Sequence, residues 1–158
     1  MFKVINLDNL ATGQNVFKSF STEVEANAYL SALANDFAKK GYEVRNIPAS
    51  EGILFNDPQM LKVTKSVNVA NPNAPENIIV FALIPCADNE FVTITRNRMK
   101  YYSEAEDETN YNFVNKSAPF ENIHAEMVQN DYTLLRQENG ISFYKSETDT
   151  FISEVYIF

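Results

Sequence analysis

An α+β fold is predicted by three features of this chain. Each half carries an amphipathic helical stripe, short runs with period-two alternation surround each stripe, and both halves follow the order hairpin, helix, three strands. Hairpin signals, of which Asn139-Gly140 is the strongest, make the sheet or pair of sheets predominantly antiparallel. At 158 residues the chain suits a single globular domain, which on folding hides roughly 70% of the surface of the unfolded chain. The breaker cluster Asn71-Pro72-Asn73-Ala74-Pro75-Glu76-Asn77 sets the expected boundary of a ββαβββ pseudo-repeat.

Phe2 to Leu7 and Val16 to Phe20 are β-prone runs joined by a polar connection containing Gly13, which predicts a hairpin. Thr22 and Glu25 have the spacing of a capping box, in which each side chain satisfies the other residue's backbone amide. Ala26, Leu30, Leu33 and Phe37 then fall on one face with Tyr29 beside them, so a helix from Glu23 to Lys40 should bury this stripe against a sheet. Lys39 and Lys40 complement the negative end of the helix dipole, and Gly41 can take the left-handed conformation that stops the helix. Strands are expected from Tyr42 to Ile47, from Ile53 to Phe55 after a turn at Ser50 to Gly52, and from Leu61 to Val69. In the last of these Leu61, Val63, Val67 and Val69 alternate with polar residues, and Lys65 interrupts the apolar face.

The second half opens with Ile78 to Ile84, apolar on both alternations, as expected of a central strand covered on both faces. Phe91 to Tyr102 reads as a long strand and Ser103 to Thr109 as an acidic loop. Ser117 is the expected cap of a helix from Ala118 to Asp131 with Phe120, Ile123, Met127 and Val128 inward. Strands from Tyr132 to Gln137, Ile141 to Lys145 and Thr150 to Phe158 complete the half. The helix exits Gly41-Tyr42-Glu43-Val44 and Asp131-Tyr132-Thr133-Leu134 correspond, as do the turns Glu51-Gly52-Ile53 and Asn139-Gly140-Ile141.

A hydrophobic fraction of 45% and an aromatic fraction of 13% supply a core without staples. The net charge of -8 repels nucleic acid and anionic lipid and attracts basic protein surfaces. Cys86 is the only cysteine and cannot form an internal disulfide. No apolar run after Met1-Phe2-Lys3 is long enough for a signal peptide or a membrane span, so a cytoplasmic protein is expected.

His124 borders the apolar face of the second helix between Phe120 and Val128. General-base work would need an orienting carboxylate, for which Glu121 is the only local supplier, and a packing role is favoured. As the sole histidine it excludes multi-histidine zinc and iron sites, and no metal or cofactor is expected. Cys86 follows Pro85 at the end of the most apolar run, with no base in sequence to activate its thiol. Glu104, Glu106, Asp107 and Glu108 lack the alternating oxygen ligands and turn glycine of a calcium loop and read as a solvated acidic surface. Neither Gly-rich nucleotide fingerprint occurs. Arg96, Arg98, Lys100 and Tyr102 share one face of an extended strand, a row about 20 Å long. Such a row can grip a phosphate backbone, with a stacking ring at one end, or stand as a wet face paired with acids. The terminal run Glu154-Val155-Tyr156-Ile157-Phe158 alternates as a strand and is expected in the sheet.

These observations favour a non-catalytic acidic binding protein that meets a basic protein partner through Glu104, Glu106, Asp107 and Glu108. An inhibitor of a nucleic-acid-directed enzyme, of the anti-defence kind carried by phage and mobile elements, or a toxin-immunity protein would fit. The alternatives are a nucleic-acid or nucleotide binder using Arg96, Arg98, Lys100 and Tyr102, and a small metal-independent enzyme.

Overall fold

The computed structural model describes residues 1–51, 56–66, 76–100 and 110–158. The fold is α+β, with two antiparallel five-stranded sheets and two α-helices. The chain divides into two units, Met1–Ala87 and Asp88–Phe158.

The first unit contains β1 (Phe2–Asn6), β2 (Phe17–Phe20), α1 (Glu23–Lys39), β3 (Glu43–Ile47), β6 (Gln59–Ser66) and β7 (Glu76–Pro85). A minor pair, β4 (Ser50–Glu51) and β5 (Asn56–Asp57), lies between β3 and β6 in the chain. The sheet order is β2-β1-β7-β6-β3, every neighbour antiparallel. Helix α1 therefore leaves one edge strand and delivers the chain to the other. Its start is the expected capping box: Thr22 Oγ1 accepts from the Glu25 N–H, and Glu25 Oε2 accepts from the Thr22 N–H, each at 3.2 Å. Ala26 and Leu30 pack on Val4, Leu61, Val63, Phe81 and Leu83, with Tyr29, Leu33 and Phe37 around them. Each fully buried leucine or valine contributes about 1.5–3 kcal/mol. Lys65, at the end of the same sheet face, lies 5.4 Å over the Tyr42 ring and donates to the Lys40 carbonyl at 3.1 Å. The residue that breaks the apolar alternation thus satisfies one of the free carbonyls at the helix end.

The second unit contains β8 (Phe91–Met99), β9 (Asn110–Lys116), α2 (Phe120–Gln129), β10 (Thr133–Glu138), β11 (Ile141–Glu147) and β12 (Phe151–Ile157). Its sheet order is β10-β11-β12-β8-β9. Counting main strands within each unit, both sheets have the order second, first, fifth, fourth, third, with the helix between the second and third. The ββαβββ repeat is therefore a repeat of topology. Its helix-side core is Ile123, Met127, Tyr144, Val155 and Ile157.

The two helix exits correspond bond for bond. The Tyr42 N–H bonds the Phe37 carbonyl and the Gly41 N–H bonds that of Ala38; in the second unit Tyr132 bonds Met127 and Asp131 bonds Val128, all at 3.0–3.2 Å. Gly41 and Asp131 have φ of +87° and +64°. This is the Schellman closure, and its accompanying apolar contact is present where Phe37 meets Tyr42 edge-on at 5.1 Å.

Four details differ from the sequence expectation. The run Ile78–Ile84 lies within β7, which is central as expected but fills the middle of the first sheet rather than opening the second. The division falls at Ala87 rather than at 71–77, of which 71–75 lie outside the described residues. The second unit's hairpin is instead β8 with β9, a strand outside the sequence expectation; its asparagines have low β-propensity, which an edge position tolerates. Helix α2 has Pro119 rather than Ser117 at its N-cap and no side-chain cap bond. Ser117 instead accepts from Asn89 Nδ2 at 3.2 Å. The expected strand Ile53–Phe55 lies outside the described residues.

The paired exits generate a mirrored prediction. Gly41→Ala should destabilise, since φ of +87° strains any Cβ although nothing lies within 4 Å of one. Asp131→Gly should stabilise, by removing both that strain and a carboxylate from the negative end of α2. Each change should be about 0.5–1 kcal/mol, read from urea denaturation midpoints.

Candidate functional site

The side chains with the densest polar chemistry lie on the face of the second sheet that α2 does not cover. Cross-strand register puts Arg96 opposite Glu154, Arg98 opposite Ile152, and Ile94 opposite Tyr156. Residues directly opposite share a face, so Arg96 and Arg98 meet the even-numbered side chains of β12. Glu154 is the focus. It is 7% exposed on the middle strand, one oxygen accepting from Arg98 Nη2 at 3.0 Å and the other from the Tyr156 hydroxyl at 3.1 Å. The Arg98 contact is single rather than forked, and its Nε is buried without a hydrogen-bond partner.

Aromatic packing fixes Tyr156. Its ring stacks on Phe143 at 4.8 Å with 14° between planes, and the Arg136 guanidinium stands 5.8 Å over the other strand's ring, Phe143. Arg136, Phe143 and Tyr156 are successive register partners across β10, β11 and β12. Burial first, and then the charge and hydrogen bond of Glu154, push the Tyr156 phenol well above the ordinary tyrosine range. It stays protonated and donates, which unfits it to act as a base or nucleophile.

Lys100 lies just beyond β8, and its Nζ is 2.7 Å from Glu147 Oε1; Lys145 approaches the other oxygen at 3.8 Å. Lys100 first, by hydrogen bond and charge, holds the Glu147 carboxyl below its ordinary value. Of the predicted row, Arg98 and Lys100 are thus engaged by carboxylates, and Arg96 lies in register between Glu154 and Tyr111. Tyr102 and the acidic residues Glu104, Glu106, Asp107 and Glu108 lie outside the described residues. Sequence reading missed Glu154 and Glu147 as partners of the row. The available signal was the alternation of β11 and β12, which places them on one face once those strands are set beside β8.

The two singled-out reactive side chains are packed against their neighbours. His124 Nδ1 meets the Tyr144 hydroxyl at 2.7 Å, and its ring stacks on Phe120 at 6.2 Å. The expected local acid, Glu121, is exposed. Tyr144 is fully buried, and desolvation raises its phenol above the ordinary value. Cys86 is 4% exposed, with its thiol donating to the Ala87 carbonyl at 3.6 Å. Among the described residues, no three His, Cys, Asp or Glu side chains form a group able to hold a metal ion, and no helix is long and apolar enough to cross a membrane. Comparison with protein-family models, curated proteins and solved structures returned no match.

The buried phenols generate a pH prediction. Below pH 10.0, the ordinary tyrosine value, Tyr156 is protonated in folded and unfolded states alike, and its contribution to stability is complete. Above it the unfolded chain ionises first, so stability falls as pH rises toward the raised folded value. In a spectrophotometric titration Tyr144 should ionise later than an ordinary tyrosine and Tyr156 only with unfolding, and Tyr156→Phe should flatten the alkaline loss of stability. Ionisation of all eight tyrosines before any loss of structure would contradict this.

Proposed function

We propose that this chain is a non-catalytic binding protein that engages a basic protein partner through its second unit. The observation that carries the reading is where the charge resides. Met1–Ala87 has seven Lys and Arg against eight Asp and Glu, whereas Asp88–Phe158 has six against thirteen. Almost all of the net charge of -8 therefore belongs to one unit. Within it Arg98, Lys100, Lys116, Arg136 and Lys145 all lie within 4 Å of carboxylates, which further reduces its appeal to phosphate. An excess of carboxylates steers a basic partner and competes for a groove that otherwise takes phosphates. An inhibitor or immunity-type protein acting on a nucleic-acid-directed enzyme is the form of this reading that best suits such a surface.

The test uses the partner captured from native-host lysate at low salt. If Glu104, Glu106, Asp107 and Glu108 form the solvated surface expected from sequence, replacing them with Ser should leave the melting temperature within a few degrees, since such charges contribute little to folding. The variant should associate with the partner more slowly and with a flatter salt dependence, because long-range attraction is what has been removed. An unchanged rate and salt profile in stopped-flow measurements would exclude these four residues as the contact.

A further inference from the structure

We propose that the hydrogen bond between His124 and Tyr144 is an acid-sensitive latch, which holds α2 on the second sheet while the imidazole is neutral and releases the helix when the imidazole is protonated. This goes beyond partner binding and stands on the polarity of one buried bond.

Helix α2 depends on what it packs against. It has 10 residues against 17 in α1, and no side-chain bond caps its start at Pro119, whereas α1 begins in a complete capping box. A helix that short draws its stability from tertiary contacts. Those of α2 are the burial of Ile123 and Met127 with Tyr144, Val155 and Ile157, the meeting of the Phe91 and Phe120 rings at 6.0 Å, and the 2.7 Å contact of His124 Nδ1 with the Tyr144 hydroxyl.

That last contact has a required polarity. A phenol has one proton to give, and Tyr144 keeps it, since the side chain is 0% exposed and desolvation raises it above the ordinary tyrosine value. Among the described residues, His124 Nδ1 is the hydrogen-bond partner of this hydroxyl. A neutral imidazole with its proton on Nε2 accepts the phenol proton at Nδ1, and both groups are satisfied. An imidazolium carries a proton on each nitrogen, so Nδ1 donates, the Tyr144 oxygen accepts, and the phenol proton is left facing a dry interior. A buried donor without an acceptor is costly, and lifting α2 from the sheet relieves it. The bond is therefore whole above the ordinary histidine range and is lost as pH falls through it.

The groups around His124 do not offset this reversal. Phe91, Val155 and Ile157, which β8 and β12 present to α2, are not ionisable. From β10 comes Tyr132, whose hydroxyl meets Ser153 Oγ at 2.7 Å, and from β9 comes Lys116, bridged to Glu126 at 3.2 Å. Glu121, one turn before His124, is exposed, so solvent screens its charge. Stacking of His124 on Phe120 at 6.2 Å favours the imidazolium, but both rings belong to α2 and stay together when it lifts.

The test follows amide hydrogen exchange in the whole chain at about pH 8 and about pH 5, on either side of the ordinary histidine range, with Leu30 in α1 as internal reference. Protection of Ile123 and Met127 relative to Leu30 should fall about tenfold on acidification, the factor that matches one buried hydrogen bond. His124→Gln, which takes up no proton, should show no fall. Tyr144→Phe, which keeps the ring and removes the hydroxyl, should show a smaller one. Nitrogen chemical shifts of the unaltered His124 at about pH 8 should place the proton on Nε2, a readout that needs no variant to fold. Equal relative protection at both pH values, a full response in either variant, or a neutral imidazole protonated on Nδ1 would overturn the latch.

Discussion

The constraint on which each unit depends is that its last strand must enter the middle of the sheet. Strand β7 inserts between β1 and β6, and β12 between β8 and β11, so neither sheet closes until the final segment of its unit arrives. A middle strand has neighbours on both sides and no wet edge, and its side chains must suit two covered faces. That is why Phe81, Ala82, Leu83 and Ile84 are all buried, as are all residues from Ile152 to Phe158. The helix settles which face is which. It crosses from one edge strand to the other, and its stripe selects Phe81 and Leu83 in one unit and Val155 and Ile157 in the other.

Glu154 is the exception to an apolar middle strand, and the polar face of the second sheet follows from it. A carboxylate at 7% exposure is costly unless both oxygens are satisfied. Arg98 and Tyr156 satisfy them, and Tyr156 is in turn held by its stack on Phe143. The basic residues that look in sequence like a grip for phosphate therefore have a nearer counter-ion in the folded chain. A pair of this kind contributes little net stability against an apolar alternative, but removal of one member leaves a buried charge without its partner. The row is thus tied to the register of β12 on β8, because a one-residue slip would send Glu154 to the helix side.

Several signals of local chemistry are legible in the sequence, the cap expected at Ser117 being an exception. The capping box at Thr22 and Glu25, the left-handed exit at Gly41, and the Asn139-Gly140 turn each depend on residues within a few positions of one another. Asn139 and Gly140 both have positive φ, as a two-residue hairpin of this kind demands. What escaped is non-local. Nothing in Ile78–Ile84 states whether it pairs backward with β1 or forward with β8, since an apolar run satisfies either position. The repeat was therefore recognised with its second copy displaced by one strand, and the displacement concealed β9 among asparagines. The same limit applies to the site: Arg98 and Glu154 are far apart in sequence, and only the strand order brings them to 3.0 Å.

The two units show that one topology accepts two charge chemistries. In the first, Lys3, Lys18, Lys40 and Lys65 stand over the rings of Phe17, Phe20 and Tyr29, Phe37, and Tyr42, at 4.9–5.7 Å. The near balance of that unit comes from its seven bases against eight acids. In the second, lysines and arginines pair with carboxylates, and each pair removes one cation and one anion from the field without altering the excess of acids. Cation–π contacts and surface ion pairs are each worth about 1 kcal/mol or less, so neither pattern decides the fold. The number of acids over bases in each unit sets the net field a partner meets. Because each ion pair is neutral, the excess is set by the counts, and the same ββαβββ sheet carries a near balance of charge in one unit and an excess of carboxylates in the other.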